Sequence, residues 1–92
     1  MTKVLATWFK DCTGNHDNNL CDGKFWYAEL SGKLGNLPHL QKAKITYKGH
    51  TETARKGDIG SGGNSHAAID LHKTLANKLK FTGKDYVIFK KI

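Results

Sequence analysis

Short apolar blocks, most with a period of two, recur along nearly the whole 92-residue chain. "KVLATWF" at residues 3–9, "KFWYAEL" at 24–30, "AKITYKG" at 43–49, "TETARKG" at 51–57 and "DYVIFKKI" at 85–92 read as β-strands, rich in β-branched and aromatic residues and bounded by turn formers. Gly49 predicts a turn between the third and fourth of these blocks, and Pro38 in "GNLPHL" marks a turn or a short helical piece. One stretch has a different period. In "LHKTLANKLKF", residues 71–81, Leu71, Leu75, Ala76 and Leu79 fall on one helical face, with Thr82-Gly83 after them as a stop. No repeat, linker or low-complexity tail interrupts this order. The pattern predicts one mainly β domain over residues 1–92, a small barrel or sandwich with one or two short helices packed on it.

Size and charge narrow the picture. A chain this short is near the size at which an apolar core alone leaves a domain marginally stable, so a further constraint is expected. Fifteen Lys and Arg against eight Asp and Glu give a net charge of +7, which favours anionic partners: nucleic acid, anionic lipid or acidic wall polymers. No run of Lys and Arg is interleaved with aromatics as a stacking surface requires, so nucleic acid is not expected as the partner. No apolar run approaches the roughly 20 residues of a membrane span. "MTKVLATWF" lacks the apolar core of a secretion signal, so an exported protein would have lost its signal. Cys12 and Cys21 lie nine apart in the polar, turn-rich "CTGNHDNNLC". A short-range disulfide between them would stabilise the fold by roughly 2–3 kcal/mol and imply an oxidising, secreted setting. The alternative is a pair of unbonded surface thiols.

The candidate chemistry sits in "KGDIGSGGNSHAAIDL", residues 56–71, where Asp58 and Asp70 flank a flexible stretch of small residues. Two carboxyl groups brought together by such a loop raise one another's pKa, and glycosidic cleavage needs a carboxylic acid that still holds its proton. Each also has a plain structural reading, Asp58 as a turn residue and Asp70 as a cap at the start of the helix, whose dipole would favour the ionised form. Asp11, at the end of the first strand, is a third carboxylate. Alternation in "KFWYAEL" separates Phe25 and Tyr27 from Trp26 and Ala28, so at least one large ring is expected at the surface. Trp8, Trp26 and Tyr27 are the candidates to stack on a sugar, with one of the two tryptophans in a cleft. His66 and His72 flank Asp70 and are candidates to orient it. The five histidines form no ligand cluster, so neither a metal nor another cofactor is expected.

The order of these segments resembles the double-psi β-barrel of the expansin, barwin and rare lipoprotein A superfamily. The resemblance covers "ATWF", the cysteine loop, "CDGKFWYAELS", "AKITYKG", a "GDIG" turn, "IDL" leading into a helix, and the final strand. Its most specific part is "GDIGSGGNSHAAIDL", similar to a glycine-aspartate turn followed by an aspartate-leucine signature. Two departures stand out: Ala43 occupies the place of a usual cysteine partner, and the insertions that build a cellulose groove in related endoglucanases are absent. The chain is nearer the bare barrel of rare lipoprotein A, whose members include peptidoglycan lytic transglycosylases. The resemblance implies a six-stranded double-psi β-barrel, Asp70 as general acid, Asp58 lining the same cleft and Asp11 in the place of a catalytic base. It implies a secreted or wall-associated monomer acting on peptidoglycan, with cellulose or pectin as other polymers. A non-catalytic module that binds a wall polymer or a protein target is the alternative.

Overall fold

The computed structural model describes residues 2–14, 19–61, 63 and 65–92. Six strands and one helix follow one another as β1 Thr2–Phe9, β2 Trp26–Leu30, β3 Lys42–Tyr47, β4 His50–Gly60, β5 Ile69–His72, α1 Lys73–Leu79 and β6 Asp85–Lys91. The strands close into a mixed barrel in the order β1-β5-β2-β4-β3-β6. β1 with β5 and β2 with β4 pair in parallel, and the other neighbours are antiparallel.

Alternation fills the barrel. Val4 and Ala6 from β1, Ala43 and Ile45 from β3, Ile69 and Leu71 from β5, and Val87 and Phe89 from β6 point inward and are buried. Tyr27 lies edge-on to Phe89 at 5.4 Å between ring centroids, and Tyr47 to Phe81 at 5.0 Å. Leu75, Ala76 and Leu79 of α1 join the same core.

The hairpin between β3 and β4 is tight because Lys48 and Gly49 both take positive φ, 46° and 86°, as the two central residues of a type I′ turn do. The predicted helix begins two residues late, since Leu71 and His72 belong to β5 and pair with Trp8 and Phe9. It also ends early. Lys80 adopts a left-handed conformation (φ 58°, ψ 35°) and its N–H reaches the Ala76 and Asn77 carbonyls, so the stop falls before Thr82-Gly83. The Pro38 segment forms turns, which leaves a single short helix among the described residues.

Two constraints hold the connections. Cys12 and Cys21 are disulfide-bonded with Cα atoms 4.9 Å apart, and Leu20, between them, is fully buried and donates its N–H to the Cys12 carbonyl at 2.7 Å. Inside the barrel, Glu29 is 1% exposed and accepts the amides of Leu34, Asn36 and Leu37 at 2.7–2.9 Å, with the Lys56 ammonium at 3.1 Å. Burial pushes the Glu29 carboxyl up, but these four donors together outweigh it and hold the pKa below the ordinary value. The connection after β2 is thus anchored to a buried carboxylate.

Candidate functional site

A one-residue irregularity places the site. β2 pairs with β4 as Tyr27↔Lys56 and then Ala28↔Asp58, which leaves Gly57 as the extra residue of a β-bulge. In unbroken alternation Ala54, Lys56 and Asp58 would share the inward face. The bulge turns Asp58 to the outer face, beside Ala28. Ala28 in turn pairs with Asp70 of β5, and Asp70 with Thr7 of β1. Thr7, Asp70, Ala28 and Asp58 therefore form one row across four strands on the outer wall. Ala28 has the smallest side chain of the four and separates the two carboxylates by two interstrand spacings, about 10 Å along the backbone.

Gly57 has to be glycine for steric reasons. A Cβ there would lie 2.7 Å from the Trp26 ring and 2.8 Å from Leu20. Gly14, from the disulfide loop, packs on Asp58 in the same way, its hypothetical Cβ 3.0 Å from the Asp58 carboxyl carbon. The Asp58 carboxylate also accepts the Ile59 amide at 2.8 Å.

The row opens into a cleft of about 360 Å³ bordered by Trp8, Phe9, Asp11, Ile59, Ser61 and Ser65. Within it the Thr7 hydroxyl donates to Asp70 Oδ1 at 2.6 Å. Burial pushes the Asp70 carboxyl above its ordinary value, the Thr7 hydrogen bond draws it partly back, and the negative charges of Asp58 and Asp11 push it up again. The helix does not oppose this. Asp70 is a strand residue, the N-cap is His72, and no side chain caps the helix. The capping reading of Asp70 and the turn reading of Asp58 are both replaced by strand positions, Asp58 lying near the end of β4.

The structure therefore brings Asp11, Asp58, Asp70 and Trp8 together, with Trp8 44% exposed. Trp26 and Tyr27 are not at the surface. Trp26 is covered on the outer wall and donates its Nε1–H to Asp22 at 2.9 Å, while Tyr27 points into the core and donates its hydroxyl to the Gln41 carbonyl. Neither histidine touches Asp70. His66 is exposed and its carbonyl accepts Lys33 Nζ at 3.0 Å. His72 is buried edge-on to Phe9, with Nε2 3.0 Å from the Asp11 carbonyl, which fixes that nitrogen as the donor. Its other neighbour at Nε2 is Cys21 Sγ at 3.8 Å, so His72 supports the strand-to-loop junction that carries Asp11.

Thr7 is the residue that sequence reasoning did not single out. It meets Asp70 across 63 residues of chain, a pairing that only the barrel register creates. Among the described residues no group of three His, Cys, Asp or Glu side chains has a metal-holding arrangement, and no helix is long and apolar enough to cross a membrane. No protein-family model matches the chain, and no curated protein is significantly similar to it.

Proposed function

We propose that the outer-wall cleft binds a cell-wall glycan, peptidoglycan foremost, and that Asp70 cleaves it as a general acid. The observation that carries this reading is a half-buried carboxyl, raised in pKa, facing an open cleft that the partly exposed Trp8 borders. A carboxyl that keeps its proton can hand it to the glycosidic oxygen as the bond to the anomeric carbon breaks. Thr7 fixes the orientation of the carboxyl, and Trp8 offers an apolar face for a sugar ring.

The spacing of the carboxylates bears on the mechanism. A double displacement through a covalent intermediate uses two carboxyl groups about 5–5.5 Å apart, closer than two interstrand spacings. The arrangement favours inversion with water between the carboxyls, or the lytic transglycosylase route, in which the sugar's own hydroxyl attacks and Asp70 serves as acid and then base. The resemblance to the rare lipoprotein A superfamily points to the latter. The disulfide suits a secreted or wall-associated protein. The position of the cleft on the outer wall of the barrel also suits the non-catalytic reading, in which the same groove binds a wall polymer and leaves it intact.

Mass spectrometry of soluble fragments released from purified peptidoglycan tests the proposal. The parent protein should release glycan fragments, and Asp70→Asn should lose about 10²–10⁴-fold in rate while still adsorbing to the wall. A folded Asp70→Asn protein that releases fragments at the parental rate would overturn the assignment. A parent that adsorbs but releases nothing would leave the binding-module reading in its place.

A further inference from the structure

The opposite side of the barrel carries a different chemistry. On the outer face of β3, Lys42 and Lys44 alternate with the buried Ala43 and Ile45. Lys42 pairs directly with Arg55 of β4, and Lys44 with Lys90 of β6. All four are exposed. The two pairs are adjacent rows, about 7 Å apart along the strands and about 5 Å across them. Like charges directly opposite one another on a sheet are destabilising. Among the described residues none of the four is paired with a carboxylate, the one ion pair, Lys56 with Glu29, being inside the barrel. Glu52 does not relieve them, because it pairs with the inward-facing Ile45, and Asp85 lies at the far end of β6 bonded to the Tyr47 hydroxyl.

We propose that this four-cation face of β4, β3 and β6 is a second binding surface, for a linear anionic polysaccharide whose carboxylates lie along the two rows. The partner's charge offsets a repulsion that the free protein carries uncompensated. The surroundings favour a polysaccharide over a nucleic acid. Single-stranded nucleic acid needs aromatic platforms, and the exposed aromatic on this wall, Tyr86, already has the Lys3 ammonium 5.3 Å from its ring centroid. Duplex readout needs a helix or ribbon that enters a groove, whereas this face is the flat wall of a barrel. The face shares only β4 with the Asp70 row and does not depend on the chemistry of that cleft.

The test measures binding of polygalacturonate, with neutral dextran and a thymidine homopolymer as comparison probes at matched salt. The parent should bind polygalacturonate, more weakly as salt rises, more tightly than it binds either other probe. The triple variant Lys42→Gln, Lys44→Gln, Lys90→Gln should lose at least about tenfold in affinity, because three of the four cations that the polymer meets are gone. It should melt no lower than the parent, because it removes like-charge contacts. A control with the same net charge, Lys73→Gln, Lys78→Gln, Lys84→Gln, should lose less than about threefold, since it changes only the distant field. Equal losses in the two triple variants, tighter binding of the thymidine polymer, or no binding of polygalacturonate at low salt would each overturn the proposal.

Discussion

At the scale of single residues, two carboxyl groups withdrawn from water are pushed in opposite directions, for identifiable reasons. Glu29 is surrounded by donors and holds its charge into acid, while Asp70 has one hydroxyl donor and two negative neighbours and keeps its proton to higher pH. Their effects on stability have opposite signs. Because the pKa of Glu29 is depressed on folding, its contribution is present above the unfolded value near 4.3 and is lost as pH falls through the folded value. Glu29→Gln leaves Lys56 buried without its counter-charge and is expected to cost about 3–5 kcal/mol in urea unfolding at neutral pH, the penalty shrinking in acid. A neutral-pH loss below about 1 kcal/mol would contradict this account of the anchor. That Asp58 and Asp70 share one cleft was legible in the sequence, because two carboxylates flank one short stretch of small residues. The burial of Trp26 was not. Alternation says that Trp26 and Tyr27 face opposite ways, but not that the outer face of β2 is covered as well, and Trp26 packs there against Gly57 and bonds to Asp22.

At the scale of elements, the β-bulge at Gly57 is the decisive feature, because it moves Asp58 from the inner wall to the row that contains Asp70. Gly57→Ala would drive a Cβ into the Trp26 ring and Leu20, and overpacking of this kind costs about 1–3 kcal/mol. The melting temperature should fall and, under the proposed function, glycan release should fall with it, since relief of the clash shifts Asp58. A Gly57→Ala variant with parental melting and activity would show that the close approach does not hold the bulge in place. Most strands were legible from period-two blocks. β5 was not, because Ile69–His72 is only four residues long and runs directly into an amphipathic helix, whose pattern absorbs Leu71. The helix end was misplaced for a related reason. Lys80 takes the left-handed conformation usually given to glycine, so residue type did not mark the stop.

For the molecule as a whole, closure of the barrel assembles what the chain holds apart. Thr7, Ala28, Asp58 and Asp70 come from four strands and meet only when the register of β1, β5, β2 and β4 is complete. The net charge of +7 was plain from composition, but the juxtaposition of Lys42, Lys44, Arg55 and Lys90 on neighbouring strands follows from strand pairing and was invisible in a sequence with no basic run. The raised pKa of Asp70 is accordingly a property of the folded barrel. Carbon-13 NMR titration of the Asp70 side-chain carboxyl tests this most directly, in the folded protein, in urea and in folded Asp58→Asn. The folded protein should titrate Asp70 above the ordinary value near 3.9, urea should return it to that value, and Asp58→Asn should lower it by removing a like charge. Asp70 titrating at or below about 3.9 in the folded protein, or unmoved by Asp58→Asn, would contradict the account.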